Sequence, residues 1–304
     1  MREGFFRAVS TAQFTDLLRA FAPLAPETVD LLAARGRFLA ADVTATENLP
    51  AHPRAAMDGY AVRAADLFGA TDSNPGYLDL AMDIPIGMVP DAPLPPGRCA
   101  RIVTGAVLPQ GADAVVMVEY TEDMGAGAVE IRRSVAPGDN MLFAGEDAAL
   151  GQCALPAGTR LRPQEIGMLA ALGHERVGVG GRPRVGVLST GDELVPVAAT
   201  PRPGQIRDVN SHTLSAMVAA AGAAPKTYAL VPDDLAGITA ALAAATAEND
   251  LTLLSGGSSV GARDFTLDAL RGLGADILAH GVAISPGKPT ILASQGGRPV
   301  IGLP

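Results

Sequence analysis

Residues 251–270 read LTLLSGGSSVGARDFTLDAL, and this stretch gathers the residue types that hold an anion. Leu251, Leu253 and Leu254 form a short apolar run, as expected of a strand buried on both faces. Ser255 to Gly261 cannot continue that strand. Gly256, Gly257 and Gly261 permit backbone angles closed to other residues, and Ser258 and Ser259 add hydroxyl donors. Asp264 stands where a helix beginning at about Phe265 takes its N-cap. Such a turn aims free backbone N–H groups at one spot, and that spot suits a phosphate. The functional reading is a phosphate cradle with an acid, Asp264, at its lip. The alternative is a tight strand-to-helix turn that binds nothing.

A second turn of this kind precedes it. Arg184 to Thr190, RVGVLST, reads as another buried strand and runs into Gly191-Asp192-Glu193-Leu194. Two carboxylates beside a glycine at the C-terminal end of a strand suit metal binding or acid–base work. The alternative is a helix N-cap made by Asp192. Two such turns in neighbouring units of one sheet favour a ligand site, because open α/β sheets bind ligands outside the carboxyl ends of their strands.

The elements that must position these turns follow from the patterning. From residue 184 onward, strand-like runs alternate with helical ones: RVGVLST, SHTLSAMVAAAG, KTYALV, DLAGITAALAAATA, LTLLS, TLDALRGL, ADILAHGVAI, TILAS and PVIGLP. Alternation of this kind makes a mostly parallel, doubly covered sheet. Residues 10–35 read as two helices. Ser10 or Thr11 caps the first, while Pro26 and Gly36 bracket the second. Residues 50–145 are rich in Pro, Gly and short β-like runs, a β-rich module. A return segment follows to residue 180, with a helix starting near Arg162-Pro163. The fold class expected is therefore α/β multidomain.

Composition narrows the function classes. The chain has 304 residues, a net charge of −9 and a hydrophobic fraction of 48%, with sequence pI near 4.9. That is a globular composition with ample core. The acidic balance argues against nucleic acid or an anionic membrane as partner. Cys99 and Cys153 lie in no Cys/His cluster and read as reduced. No signal peptide or apolar run of membrane-spanning length is visible, so a cytoplasmic protein is expected.

Several segments carry a family resemblance. Ser189-Thr190-Gly191-Asp192-Glu193-Leu194, Ser255-Gly256-Gly257-Ser258-Ser259-Val260-Gly261 and Pro286-Gly287-Lys288-Pro289 resemble signatures of the molybdopterin molybdenumtransferases, the MoeA-type proteins related to the gephyrin E domain and the plant molybdenum insertase. Ala56-Met57-Asp58-Gly59-Tyr60-Ala61-Val62, Arg101-Ile102-Val103-Thr104-Gly105-Ala106, Gly145-Glu146-Asp147 and Gly204-Gln205-Ile206-Arg207-Asp208-Val209-Asn210 fit the same family, in family order.

The resemblance implies three domains: an elongated, helical linking domain from residues 1–50 with 146–181, an inserted β-rich module over 51–145, and a molybdopterin-binding α/β domain over 182–304. It implies a homodimer whose cleft lies between the α/β domain of one subunit and the inserted module of the other. It implies insertion of molybdate into adenylated molybdopterin with release of AMP, aided by Mg²⁺. Molybdopterin adenylyltransferase and apo-molybdoenzymes are the partners it suggests.

Residue by residue, the resemblance assigns catalytic roles to Asp58, Thr104, Glu193, Asp264 and Lys288. It assigns substrate binding to Asp208, Asn210, Ser255, Gly256, Gly257, Ser258, Ser259, Arg263 and Ser285, and Mg²⁺ to Asp233 and Asp264. Helix capping is the competing role for Asp233, a turn for Asp58, Asp208 and Asn210, and a capping hydroxyl for Thr104. The pattern is broken in three places. Family members usually carry cations where Gly281 and Ser285 stand, and Arg263 and His280 are the substitutes at hand. His52-Pro53-Arg54-Ala55 replaces an Asp-containing pair before the AMDGY segment. The chain stops at Gly302-Leu303-Pro304, where the family continues, so a C-terminally incomplete domain is expected. The lost cations favour a second reading, a non-catalytic paralogue that binds molybdopterin or its cofactor for delivery or regulation.

Overall fold

The computed structural model of the protein describes residues 8–256 and 265–304. Gly257, Ser258, Ser259, Arg263 and Asp264 therefore lie outside the described residues. The chain divides into two compact units: residues 1–28 with 178–304, and residues 29–177.

Helix α1 spans Thr11–Arg19. Ser10 Oγ accepts the Gln13 N–H at 3.1 Å while Gln13 Oε1 accepts the Ser10 N–H at 2.9 Å. This reciprocal box satisfies two of the four donors that a helix start leaves open. The second helix expected by residue 35 does not form. Glu27–Asp30 is a short strand and Leu31–Ala34 a single 3-10 turn. Thr28 and Val29 are β-branched and disfavour a helix, and a helix this short is marginal without packing. The Leu31 N–H goes instead to the Glu175 carbonyl at 2.9 Å.

The unit of residues 29–177 is built on a six-stranded sheet. Its strands are β1 (Gly59–Val62), β2 (Gly76–Ile84), β3 (Arg98–Ile102), β4 (Ala114–Met117), β5 (Thr121–Gly125) and β6 (Ala128–Ile131), in spatial order β4-β1-β3-β2-β6-β5. Only the β2–β3 pair is parallel. Alternate residues feed two separate cores. Tyr60, Val62, Leu78, Cys99, Val116 and Ile131 pack on one face. Ala61, Ile84, Ala100, Ile102 and Val115 pack on the other. A sheet buried on both faces reads as apolar runs, as β1 and β4 do. Burial pushes the Cys99 thiol up to about 11, so it is an inert core residue.

Helix α2 (Pro163–Ala171) belongs to the same unit. Pro163 sits at its first position, where a missing N–H costs nothing. Glu165, 8% exposed, accepts the Arg162 backbone N–H at 2.8 Å and the Arg162 guanidinium at 2.5 Å. The guanidinium holds the Glu165 carboxyl at about 2. A depressed carboxyl stabilises the fold above its unfolded value, near 4.5, and that contribution is lost as pH falls towards 2. Glu165→Gln is expected to lower Tm at pH 7, and the gap to wild type should close between pH 4.5 and 2. Calorimetry across that range checks it; a gap independent of pH contradicts it.

The second unit carries the alternating segment. Its sheet contains β7 (Arg184–Ser189), β8 (Ala224–Thr227), β9 (Leu251–Ser255), β10 (Asp276–His280), β11 (Ile291–Gln295) and β12 (Arg298–Leu303), in spatial order β8-β7-β9-β12-β11-β10. The pairs β8–β7, β7–β9 and β9–β12 are parallel, whereas β11 runs antiparallel to both neighbours. Helices α3 (Asn210–Ala220), α4 (Leu235–Glu248) and α5 (Phe265–Gly272) cover it. Leu188 and Leu254 pack with Ile238 and Leu242 of α4 and Leu270 of α5. Val185, Leu251 and Leu253 pack with Val218 of α3. The expected double cover is thus present. The strand expected over KTYALV starts two residues earlier and stops at Thr227; Val231 returns only as a lone parallel bridge to Thr190. Among the described residues, no helix is long and apolar enough to cross a membrane.

Candidate active site

The carboxyl ends of β7 and β9 finish in register, with Ser189 opposite Ser255. The Thr190 N–H donates to the Ser255 carbonyl at 2.9 Å, and the Gly256 N–H to the Leu303 carbonyl at 3.3 Å. Gly256 has φ +97°, and a Cβ there would fall inside contact distance of the Thr190 carbonyl oxygen. Only glycine lets the two strand ends approach this closely.

Three loops add side chains to this edge. The Thr190 hydroxyl donates to Asp233 Oδ1 at 2.6 Å, and Asp192 Oδ1 accepts the Asp233 N–H at 3.1 Å. Asn210 Nδ2 donates to Ser255 Oγ at 2.6 Å. The hydroxyls of Ser189 and Ser211 lie 2.9 Å apart, and Asp208 Oδ1 accepts the Ser211 N–H at 3.0 Å. A Cβ on Gly191 would meet the Glu193 carboxylate at 2.8 Å, so Glu193 folds back over its own turn. The expected residues Asp208, Asn210, Asp233, Ser255 and Gly256 thus gather at the carboxyl ends of these strands, while Glu193, exposed on the following turn, shares no side-chain hydrogen bond with them among the described residues.

Two alternatives are removed. Asp192 caps no helix: the Leu194 N–H closes a turn onto the Gly191 carbonyl at 3.1 Å, and Leu194–Val195 then pairs with Ile206–Arg207 as short parallel strands. Asp233 is not the N-cap of α4 either. Asp234 takes that place, accepting the Gly237 N–H at 2.7 Å. Asp233 is left to the strand-end cluster.

A cleft of about 580 Å³ opens beside the cluster, lined by Asp192, Asp208, His212, Tyr228 and Val231 among others. No Lys or Arg is among its described lining residues. Thr190, His212 and Tyr228 were not singled out from the sequence. Ser285 and Lys288 lie on the turn before β11, where the Val282 N–H donates to the Lys288 carbonyl at 2.8 Å. Both side chains are exposed, and among the described residues neither is hydrogen-bonded to the cluster.

In the other unit, Asp58 and Thr104 meet. Asp58 Oδ1 accepts the Thr104 N–H at 2.6 Å and the Thr104 hydroxyl at 2.7 Å. These bonds, the backbone one first, hold the Asp58 carboxyl below its usual range. The pair is exposed, and Gly59 beside it has no room for a Cβ against the Val116 carbonyl. Among the described residues no group of three or more acidic, His or Cys side chains forms a ready metal site. Asp192 and Asp233 are hard oxygen donors of the sort Mg²⁺ accepts in pairs when phosphate completes its shell.

The chain was compared with known proteins. The family described as "MoeA N-terminal region (domain I and II)" matches residues 9–173, and "Probable molybdopterin binding domain" matches residues 186–304. The molybdopterin molybdenumtransferase of a Nostoc species is 40% identical over 91% of this chain, and molybdopterin molybdenumtransferase 2 of Mycobacterium tuberculosis 41% over 95%. The chain spans 64% of the length of the first and 72% of the second. A crystal structure of the molybdopterin biosynthesis MoeA protein from Pyrococcus horikoshii superposes with a TM-score of 0.77 at 34% identity, covering 98% of this chain and 74% of that one. By both family matches and by this identity, the chain belongs to the family of the MoeA-type molybdopterin molybdenumtransferases.

Proposed function

We propose that this chain works in molybdenum cofactor biosynthesis as a molybdopterin molybdenumtransferase, inserting molybdate into adenylated molybdopterin with release of AMP. The observation that carries the proposal is the cluster of Thr190, Asp192, Asn210, Asp233 and Ser255 at the carboxyl ends of β7 and β9, held by bonds of 2.6–3.1 Å. Buried hydroxyls, Thr190 and Ser255, interlocked with the exposed Asp192 and the half-buried Asp233 at the strand ends, where α/β sheets take their ligands, have more purpose in binding than in stability. The names of the relatives support transfer of molybdenum to molybdopterin; the adenylated substrate and the release of AMP rest on the resemblance of the motifs.

In this reading Asn210, Ser255, Gly256 and the following Gly257, Ser258 and Ser259 hold phosphate and pterin groups. Arg263 and Ser285 contribute to substrate binding, and Lys288 acts in catalysis. Asp233 with Asp264 would hold Mg²⁺, whose part is to offset phosphate charge. Asp58, whose carboxylate form the two Thr104 bonds favour, is a fixed anion that belongs to the same cleft in a homodimer built on the three-domain plan. The partners are molybdopterin adenylyltransferase and apo-molybdoenzymes, and the compartment is the cytoplasm.

A second reading, a non-catalytic carrier of molybdopterin or its cofactor, is favoured by the lack of cationic side chains: Gly281 and Ser285 supply none, and none is among the described residues lining the cleft. Complementation separates the two. Supplied to a bacterial strain without its own molybdenumtransferase, this chain restores nitrate reductase activity at ordinary molybdate, and Asp233→Asn does not. A folded wild-type chain that restores nothing contradicts the enzyme.

A further inference from the structure

Tyr228 is the one Phe, Tyr or Trp among the described residues lining the cleft, and it is held from several sides. Its hydroxyl donates to Glu248 Oε2 at 2.5 Å and accepts from Asn249 Nδ2 at 2.8 Å. Glu248 is itself fixed by Lys226 Nζ at 2.6 Å, and Asn249 by a second Nδ2 bond to the Ala245 carbonyl at 2.8 Å. Lys226 also stands 5.2 Å from the centre of the Tyr228 ring. Beneath lies Gly186 of β7. A Cβ there would meet Asn249 Nδ2 at 2.8 Å and Tyr228 Cε2 at 3.3 Å. The strand has given up a side chain so that this ring can sit down on it. Burial, and then the Glu248 carboxylate beside it, keep the phenol protonated and in place. A ring so fixed has already given up its rotamer freedom, so a ligand that lies against it does not bear that cost.

The rest of the lining sets the polarity. Asp192 and Asp208 each turn one oxygen to a backbone N–H and bring negative charge to the cleft. No Lys or Arg is among the described lining residues, and the Lys226 ammonium near the ring is paired with Glu248, so the cleft disfavours a phosphate or molybdate and favours a flat, neutral group rich in N–H donors. We infer that Tyr228 is the specificity-determining wall for the heterocyclic end of the substrate: the pterin ring system stacks on it, and Asp192 and Asp208 receive its N–H groups. The phosphates then lie on the Gly256 side of the strand ends. This rests on the function proposed above and assigns a contact to Tyr228, which lies in none of the segments that carry the family resemblance.

The test uses the full chain with two probes, 6-hydroxymethylpterin followed by its own fluorescence and AMP followed by calorimetry. Wild type binds both. Tyr228→Phe keeps the ring and stays within about twofold for each. Tyr228→Leu and Tyr228→Ala weaken the pterin by about 5- to 100-fold, the range that loss of one aromatic stack gives, and leave AMP within about twofold. Circular dichroism and Tm identify any variant that fails to fold, and Tyr228→Leu keeps the buried volume if Tyr228→Ala does not fold. Unchanged pterin affinity in a folded Tyr228→Leu overturns the inference while leaving the proposed function intact. Equal loss of pterin and AMP overturns it too, since that is the mark of a structural role. Wild type that binds neither probe overturns the proposed function and this inference with it.

Discussion

Gly256→Ala is expected to abolish ligand binding and to destabilise its unit. At φ +97° the new Cβ lands on the Thr190 carbonyl oxygen, which is backbone and cannot swing aside. A non-glycine residue at such a φ costs about 1–3 kcal/mol, and forced overpacking about as much again. Relief requires β7 and β9 to part at their carboxyl ends, where Thr190 and Ser255 are joined by a 2.9 Å bond. Thr190 carries Asp233 with it, and Ser255 carries Asn210. One methyl group therefore disorganises four site residues at once. Affinity for AMP should fall by about 100-fold or more, since every 1.4 kcal/mol is tenfold. Tm should fall by roughly 5–10 °C on the usual scaling for units of this size. Calorimetric titration and a thermal melt report the two effects separately. A variant that binds as wild type does would show that the strand ends are not the site.

Asp58→Asn is expected to do the reverse: little to the fold and much to the reaction. Asparagine keeps an oxygen for both Thr104 donors, so the loop of residues 103–105 should stay put. Asp58 is exposed and no core depends on its charge. What changes is the anion, which the two Thr104 bonds hold ionised well below neutral pH. In the proposed reaction its loss should lower the rate of AMP release by about 100-fold, the order for removing one charged catalytic group, while Tm stays within about 2 °C of wild type. Thr104→Val should produce a milder loss, because Asp58 then keeps the backbone donor and loses only the hydroxyl. An Asn variant with full activity would reduce the pair to a surface turn.

Much of the fold was legible in the sequence, for reasons that also mark where legibility ends. β7 and β9 declare themselves because each is a short apolar run stopped by glycine and covered on both faces. α1 shows its box in Ser10 and Gln13, and α2 its start in Pro163. Residues 26–35 misled because Pro26 and Gly36 are local signals, whereas the bond from Leu31 to Glu175 is long-range. Asp233 and Asp234 stand side by side, and pattern alone does not say which one caps α4; the structure gives the cap to Asp234 and frees Asp233. The site contacts span 43 positions from Thr190 to Asp233 and 45 from Asn210 to Ser255. No periodicity reaches so far; the family resemblance put Asp233, Asn210 and Ser255 in one site and gave Thr190 no role there. Tyr228 had a signal that went unused: Gly186 inside β7, a glycine in a strand interior that marks a close approach.

The most direct measurement is reconstitution of the cofactor. The purified chain receives adenylated molybdopterin, Mg²⁺ and molybdate at a physiological level, and AMP release is followed together with activation of an apo-molybdoenzyme. The account predicts both signals from wild type, and neither from Asp233→Ala at equal folded concentration. AMP release and enzyme activation undiminished in Asp233→Ala, or tight pterin binding by wild type with no AMP released, would contradict it.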